Sequence, residues 1–274
     1  MPEKRKRTPP ILTERRRHQQ AALSLGVPQQ DYDKAEVLGQ LAVLLSQHPK
    51  LGTAIAFKGG AILRMAHEVP RFSKDLDASA VARQRPIRAA WVREVLEAHD
   101  RTRRGFVQAG YQLIEQGKRL HTEGLVCTAP SGQSVGIGLE FNWHEKLLIP
   151  EIEMLPIRAA GLGQVTIPVM HRVERAAEKL RAFLDRARGA DAADLHFFRK
   201  LVLLPGQLEA VRRLLEPKFK ANPYLHDVKD FPALFDERLA ASEADYRAGA
   251  AIISGSPPKW TEIAESLAEW RALL

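Results

Sequence analysis

The sequence predicts an α+β fold, in which a part built of strands and helices precedes an all-helical part. Three patterns predict it. A short β-type run at residues 53–57 ends in Lys58-Gly59-Gly60 and is followed by a helical pattern, which gives the order strand, turn, helix. Apolar side chains alternate with glycines and one glutamate over residues 135–141, as in a half-buried strand. From Pro168 onward, the pattern has the period of helices.

The chain divides into three predicted segments. Residues 1–30 combine charge clusters with prolines and little apolar periodicity, so we expect a basic, flexible N-terminal segment with at most a short helix at 13–23. Residues 31–163 then form the mixed-sheet lobe, and residues 164–274 form the helical lobe. The predicted boundary lies near Gly161-Leu162-Gly163.

Within these segments, the helix and strand periods assign the elements in order. Helices are predicted at residues 31–48, 61–67, 87–100, 173–187 and 190–203, and as an amphipathic C-terminal helix over 260–274. Strands are predicted at residues 53–57, 76–79, 106–114, 124–128 and 135–141. In the last strand, Glu140 lies on the face that otherwise carries only Gly136 and Gly138, which leaves room there for a ligand.

Composition excludes several classes of protein. No apolar run approaches the roughly 18 residues that cross a bilayer, and the basic N-terminus has no apolar stretch behind it, so we expect no membrane partner and a cytoplasmic location. The single cysteine, Cys127, excludes an internal disulfide framework. His67, His144 and His171 lack the paired spacing of a zinc site. No G-x-x-x-x-G-K-[ST] or G-x-S-x-G motif indicates a P-loop or a hydrolase.

Positive charge is concentrated in two segments. The net charge is +8, and residues 1–20 and residues 81–120 each supply +5, so the rest of the chain carries −2. Such segments attract a phosphate backbone, and arginines of the second segment form a candidate surface for an RNA acceptor. These arginines are Arg83, Arg85, Arg88, Arg93, Arg101, Arg103 and Arg104. A solvated tail and a helix surface rich in ion pairs explain the same charges.

The residues that carry chemistry are two carboxylates, a glycine turn before them and a third carboxylate after them. Asp75 and Asp77 stand at positions i and i+2 of a predicted strand, so their side chains point to the same side. Two like charges so placed repel unless a cation compensates them or a pKa rises, and oxygen-only ligands suit Mg²⁺. Gly59 and Gly60 let the backbone approach a phosphate at a helix N-terminus. Glu140 would complete the metal site.

These residues also resemble a known family. The runs Lys58-Gly59-Gly60-Ala61-Ile62-Leu63 and Arg71-Phe72-Ser73-Lys74-Asp75-Leu76-Asp77 look like the K-G-G-T-x-L and R-F-S-x-D-L-D signatures of the AbiEii/AbiGii nucleotidyltransferase toxins. That family belongs to the DNA polymerase β-like superfamily and includes the MenT toxins of type IV toxin–antitoxin systems. Ala61 replaces the usual threonine.

The second signature of the family is a lysine followed at a distance by R-D-x-x-D on a helix. Lys179 and the run Ala190-Asp191-Ala192-Ala193-Asp194 resemble it, although Ala190 stands where the family usually has arginine. The resemblance covers residues 35–200. It implies a nucleotidyltransferase lobe of the polymerase β-like type, with a mixed sheet, followed by an all-helical C-terminal lobe.

The resemblance implies a role for each of these residues. Asp75 and Asp77 would hold Mg²⁺, or Mn²⁺ in its place, and Glu140 would bind metal or help to deprotonate the acceptor hydroxyl. The residues expected to bind or orient the nucleotide or the acceptor are Lys58, Gly59, Gly60, Ser73, Lys179, Asp191 and Asp194. A surface glutamate, a turn serine, a solvated lysine and a helix-surface charge pattern are the structural alternatives.

The resemblance also implies partners. The donor is an NTP, the expected acceptor is RNA at the 3′ end of tRNA, and the expected result is inhibition of translation and growth. A cognate antitoxin with a winged-helix DNA-binding part is expected as well. Two alternatives stay open: a degenerate protein that binds nucleotide or RNA without turnover, and the same reaction on a protein or a small molecule. The intact pair Asp75 and Asp77 argues against the first alternative.

Overall fold

The computed structural model describes residues 10–81, 87–102, 106–108, 110–143, 147–222, 224–249 and 252–274, without the side chains of residues 10–13 and 99–102. The helices are α1 (Pro10–Leu25), α2 (Gln29–Gln47), α3 (Gly59–His67), α4 (Ala89–Thr102), α5 (Arg172–Arg186), α6 (Gly189–Phe197), α7 (Gln207–Lys220), α8 (Phe231–Arg247) and α9 (Trp260–Arg271). The strands are β1 (Ile55–Lys58), β2 (Asp75–Ala80), β3 (Gln112–Gln116), β4 (Arg119–Glu123), β5 (Val126–Thr128), β6 (Ser134–Gly136), β7 (Gly138–Asn142), β8 (Ile152–Ala159) and β9 (Gly163–Met170).

Seven strands form one mixed sheet in the order β3-β4-β7-β2-β1-β9-β8. β1 runs antiparallel to β2 and parallel to β9, and β2 runs parallel to β7. β5 and β6 pair separately. A core that includes Leu41, Phe57, Leu76, Phe141 and Val169 joins α2 to the sheet. The prediction of a mixed sheet followed by a helical region is confirmed.

The apolar alternation over residues 135–141 is confirmed, but the segment consists of two strands. Val135, Ile137, Leu139 and Phe141 are all buried. Val135 lies in β6 and pairs with β5, whereas Leu139 and Phe141 lie in β7 of the large sheet. Alternation reports which face of a strand is buried and does not identify the neighbouring strand, so the sequence pattern continues through the change of sheet.

The structure moves the predicted boundary at residue 163. β8 and β9 were not predicted; they form an antiparallel hairpin, and β9 pairs with β1 through Val169 and Phe57. The helical lobe therefore begins with α5 at Arg172. β8 gives no clear alternation because it is an edge strand with mostly partly exposed side chains. The buried half of β9 is a continuous apolar run, which has no period of two.

The segment predicted to be flexible up to residue 30 is helical from Pro10. Ala22 of α1 and the following Val27 pack with Phe72 in a small apolar cluster. This cluster ties α1 to the loop before β2. Because few α1 side chains are buried, the helix has only a weak apolar stripe, and periodicity gave little sign of it.

The helical lobe has its own core and is joined to the sheet lobe by backbone hydrogen bonds. The core includes Phe183, Phe235 and Trp270, and the helices α7 and α8 were not predicted. The Phe72 N–H donates to the carbonyl of Ile252 at 2.7 Å, beside the loop that leads to β2. A π-helical turn over Phe198–Val202 continues α6. Among the described helices, none has the length and apolarity to span a membrane.

Candidate active site

The two predicted aspartates lie on β2, beside the predicted glutamate on β7. In the parallel ladder of β2 and β7, Asp75 is opposite Gly138 and Asp77 is opposite Glu140. In the antiparallel ladder of β1 and β2, Lys58 is opposite Asp77. The sheet therefore places three carboxylates and one lysine on three adjacent strands.

Two glycines leave room for these carboxylates. Gly59 has a φ of +79°, in the left-handed region, and a Cβ atom there would collide with Oδ2 of Asp77. At Gly138, a Cβ atom would collide with Oδ1 of Asp75. A larger residue at either position would displace an aspartate, so both glycines are needed for the observed positions of the carboxylates.

The strand carboxylates lack full charge compensation. Asp75 is exposed and Asp77 is partly buried. Burial raises the pKa of Asp77 to about 6, with Glu140 and Asp75 acting in the same direction and the cations of Lys58 and Lys179 acting against it. A cation between the strand carboxylates would lower this pKa again.

Glu140 is paired with an arginine that the sequence analysis did not assign to the site. Nη2 of Arg119, on β4, lies 2.6 Å from Oε2 of Glu140, and both side chains are partly exposed. Within the described ranges, no three His, Cys, Asp or Glu side chains converge as metal ligands. Asp75, Asp77 and Glu140 are therefore neighbours on the sheet without being gathered into a three-carboxylate cluster.

The helix carboxylates, in contrast, are buried and paired. Nζ of Lys179 on α5 lies 3.0 Å from Asp191 and 2.8 Å from Asp194, both on α6. Nη1 of Arg71 lies 3.2 Å from Asp194. The sequence grouped Lys179 with the two aspartates, and the structure brings them together.

Although Ala190 replaces the family arginine, Asp191 still has a guanidinium partner. Nε and Nη2 of Arg186, in the last turn of α5, donate two hydrogen bonds to Asp191 at 2.6 and 2.9 Å. Burial acts to raise the pKa of Asp191, but the contacts with Lys179 and Arg186 hold it well below its usual range. Periodicity could not identify Arg186, because it comes from another helix.

Lys58 also contacts a buried ion-pair network formed by side chains of α5 and α7. Nζ of Lys58 lies 3.9 Å from Glu178, and Nζ of the buried Lys218 on α7 lies 2.5 Å from Glu178 and 2.8 Å from Glu174. Burial opposes ionisation of Glu178, but Lys58, Arg181 and Lys218 hold its pKa below the usual range. This network was missed by the sequence analysis, since nothing in the spacing links α7 to β1.

Every predicted site residue except Asp194 lines one of two adjoining cavities between the sheet and α5–α6, which together we call the cleft. Their volumes are about 610 and 220 Å³. The larger cavity is also lined by cations: Arg71, Lys74, Arg119, Lys179, Arg186 and Arg188. The residues shared by both cavities are Asp77, Glu140, Lys179 and Arg186. A cation-rich cleft with carboxylates at its centre suits a polyanion carried with a metal ion.

The glycine turn and the serine open on the same cleft. Gly59 and Gly60 are the first two residues of α3, so their N–H groups belong to the unpaired first turn of a helix. A Cβ atom on Gly60 would collide with Arg71 Nη1 and lie 3.3 Å from Ser73 Oγ. The hydroxyl of Ser73 donates to the Asp75 carbonyl at 3.3 Å. Gly60 and Ser73 both line the larger cavity.

Only part of the predicted basic surface can be located. Arg83, Arg85, Arg103 and Arg104, the side chain of Arg101, and His144 lie outside the described residues. Arg88 and Arg93 are exposed at α4, and Arg88 lies over the Trp91 ring. Arg119, at the end of the same basic segment, lines the cleft.

The sequence profile described as nucleotidyl transferase AbiEii toxin, type IV TA system, matches residues 43–271. The match spans the glycine turn, β2, β7 and the α5–α6 pair. The chain belongs to the AbiEii nucleotidyltransferase toxin family. The chain is therefore a nucleotidyltransferase and a toxin of a toxin–antitoxin system.

One solved structure, that of MenT4, agrees with this membership of the AbiEii family. The chain is similar to MenT4, a nucleotidyltransferase toxin from Mycobacterium tuberculosis H37Rv, with 26% identity and a TM-score of 0.67 over 93% of this chain and 89% of that one. It also matches JHP933 from Helicobacter pylori, with 14% identity and a TM-score of 0.49 over 81% of this chain and 96% of that one. Among curated proteins, no match was found.

Proposed function

We propose that this AbiEii toxin transfers a nucleoside monophosphate from an NTP to the 3′-terminal hydroxyl of an RNA, with tRNA as the acceptor, in a Mg²⁺-dependent reaction. The observation that carries the proposal is the i, i+2 pair Asp75 and Asp77, which faces a cleft lined by cations and by the N-terminus of α3. In the reaction, the acceptor oxygen bonds to the α-phosphorus of the NTP, the bond to pyrophosphate breaks, and the acceptor hydroxyl loses its proton.

The residues fit a divalent cation. Asp75 and Asp77 offer oxygen ligands on one side of β2, and burial, together with the nearby carboxylates of Glu140 and Asp75, raises the pKa of Asp77. Mg²⁺ is the expected ion and Mn²⁺ an alternative. Glu140 would join them once it is released from Arg119. When bound, the metal supplies charge neutralisation for the triphosphate.

The other residues bind and orient the substrates. The N–H groups of Gly59 and Gly60 and the hydroxyl of Ser73 are placed to donate to phosphate oxygens. Lys58 and Lys179 add positive charge from the two sides of Asp77. Asp191 and Asp194 fix Lys179, and Glu140, once it is released from Arg119, would bind the metal or accept the acceptor proton.

As a toxin of a type IV system, the chain is expected to act with a cognate antitoxin that has a winged-helix DNA-binding part. Modification of tRNA ends in the cytoplasm would stop aminoacylation and thereby translation and growth. This rests on the family and on the cation-lined cleft, which accepts a polyanion.

The proposal is tested by incubating labelled NTPs with separate RNA, protein and small-molecule fractions. We expect label in the RNA fraction, at the 3′ ends of tRNA, with Mg²⁺ and no label with EDTA. Label in the protein or small-molecule fraction would show that the acceptor is not RNA. Nucleotide binding without any label would show that the protein binds nucleotide without turnover. In a bacterium without the antitoxin, wild type should slow growth and Asp75→Asn should not; equal toxicity would contradict the proposal.

A further inference from the structure

Another cavity, of about 550 Å³, lies at the end of α8 next to the cleft. Asp245 lines the larger cavity of the cleft, and the next residues, Tyr246 and Arg247, line this one. The cavity is also lined by Gly249 and by residues just before and at the start of α9: Pro257, Pro258, Lys259, Trp260 and Thr261. We call the surface formed by Tyr246, Pro257, Pro258, Lys259 and Trp260 the aromatic platform.

The aromatic platform is held in place by specific contacts. The hydroxyl of Tyr246 donates to the carbonyl of Pro258 at 2.7 Å. The rings of Tyr246 and Trp260 are tilted at 41° with centroids 5.6 Å apart. A Cβ atom on Gly189 would collide with the backbone of Tyr246, so α8 rests directly on the start of α6. The rings are therefore ordered before any ligand binds.

The platform is also attached to the rim of the cleft. The Gly189 N–H donates to Asp245 Oδ2 at 2.6 Å, which fixes the end of α8 to the helix that carries Asp191. Farther along the α8–α9 connection, the Ser254 N–H donates to the carbonyl of Pro70 at 2.7 Å, in the loop that leads to Ser73. Asp245 and Ser254, which precede the two parts of the platform in the chain, are thus hydrogen-bonded to segments that line the cleft.

The chemistry of the platform is that of a site for unpaired nucleotides. Flat, neutral ring and proline surfaces are combined with the exposed cations Arg247 and Lys259, and no carboxylate is among the described lining residues. Glu243, one turn earlier on α8, pairs with Arg247 at 2.6 Å. Single-stranded RNA is bound by aromatic stacking of its bases and by cations along its backbone.

The wall of the cleft nearest the platform carries two arginines, beside the carboxylates of Asp191 and Asp245. Arg186 and Arg188 are exposed where α5 passes into α6, and both line the larger cavity. A strand of RNA that crosses from the platform to Asp75 and Asp77 would pass these guanidinium groups.

We propose that the aromatic platform stacks a nucleobase of the single-stranded end of the acceptor RNA, upstream of the nucleotide that enters the cleft. This rests on the proposed function and adds to it the surface that selects an unpaired RNA end. Trp260 and Tyr246 supply the stacking faces, and Lys259 contacts the phosphate. The expected specificity is for single strands, because a duplex would keep its bases unavailable for stacking.

The test measures binding of a short fluorescein-labelled single-stranded RNA, in the Asp75→Asn background so that no transfer occurs. Trp260→Ala should raise Kd at least about tenfold, and Trp260→Phe should stay within about threefold of wild type, because stacking needs only an aromatic face. Lys259→Gln should flatten the dependence of log Kd on log salt concentration by about 0.7. In the active protein, Trp260→Ala should raise KM for the RNA and leave KM for the NTP unchanged.

Matched controls lie at the other end of α8. This helix has 17 residues, so its ends are about 25 Å apart. Tyr224 and Lys229 are exposed just before it begins. Tyr224→Ala and Lys229→Gln should leave Kd and the salt dependence unchanged. The thermal midpoint of every variant is compared with that of wild type, since Trp260 also packs against the helical core.

Each outcome decides the inference. An unchanged Kd in Trp260→Ala overturns it, and so does a loss of binding that Trp260→Phe fails to restore. Weaker binding of the antitoxin with unchanged RNA binding would make the platform a protein interface and the inference wrong. If the active protein labels no RNA but the binding contrast appears, the platform stands and the proposed function fails. If RNA is labelled without that contrast, the proposed function stands alone.

Discussion

The strand carboxylates and the helix carboxylates of the cleft differ in their charge balance. Asp191 and Asp194 on α6 are buried, and Lys179, Arg71 and Arg186 compensate them. Asp75 and Asp77 on β2 face the cleft without a paired cation of this kind in the described structure, and the pKa of Asp77 is raised to about 6. The carboxylates of one set are paired with cations of the protein, and those of the other set are the ligands of the proposed metal site.

The difference in charge balance indicates two roles for the carboxylates of the cleft, positioning of Lys179 and the proposed binding of a metal ion. Buried ion pairs contribute little net stability but are costly to break, so the α6 network fixes Lys179 in one position. Unpaired carboxylates cost stability in the metal-free protein, and this cost is what a metal–nucleotide complex would remove on binding. Mutations in the two sets should therefore have different signatures.

The largest expected effect is on catalysis. Asp75→Asn should lower the rate of nucleotide transfer by a factor on the order of a thousand, because metal coordination supplies several kcal/mol of transition-state stabilisation. Its free energy of unfolding should change by less than about 0.5 kcal/mol, since the side chain is exposed. Labelled NMP incorporation and urea denaturation measure both quantities. A variant that keeps a tenth of the activity, about 1.4 kcal/mol, would remove Asp75 from the metal site.

The next effect is on stability. Asp194→Asn should lower the free energy of unfolding by about 3–5 kcal/mol, because it removes the carboxylate that pairs with Arg71 and leaves the buried Lys179 with Asp191 alone. The measurement is chemical denaturation in the presence of EDTA, with Asp75→Asn as the control. Equal free energies of unfolding of the two variants would mean that the ion pairs of Asp194 stabilise the fold no more than the exposed side chain of Asp75 does.

A change of opposite sign is expected at Asp77. Its pKa is raised in the fold, so at neutral pH the ionised side chain opposes folding, and this penalty is absent at pH values below its ordinary pKa. Asp77→Asn should therefore stabilise the EDTA-treated protein at neutral pH by about 1–2 kcal/mol while abolishing transfer. Thermal unfolding with and without Mg²⁺ checks this, and a destabilised variant in EDTA would contradict the comparison.

The smallest expected effect is on the contact between Arg186 and Asp191, in which Arg186 supplies the guanidinium that Ala190 lacks. Arg186→Lys keeps the charge and loses the two hydrogen bonds to Asp191, so unfolding should become easier by about 1 kcal/mol. Arg188→Lys, an exposed change two residues on, is the control and should stay within about 0.5 kcal/mol. If both variants behave alike, the Arg186 contact with Asp191 contributes nothing measurable.

Strong local patterns in the sequence predicted much of the fold. The glycine turn, β2 and α5 were correctly located because each combines a clear period with its own start or stop residues. The β8–β9 hairpin and α7–α8 were missed, because an edge strand and half-exposed helices carry weak periods. The extent of α1 was missed for the same reason.

By itself, the sequence determined the spacing of Asp75 and Asp77 on one strand and the glycines before them, because strand geometry and glycine freedom act within a few residues. Only the tertiary structure decided which charges meet. Arg119 on β4 reaches Glu140 on the neighbouring β7, and Arg186 on α5 supplies to Asp191 the guanidinium that Ala190 on α6 lacks. Lys218 on α7 is buried against Glu178 on α5. Electrostatic pairing depends on distance in space, and residues 40 positions apart have no local pattern that records it.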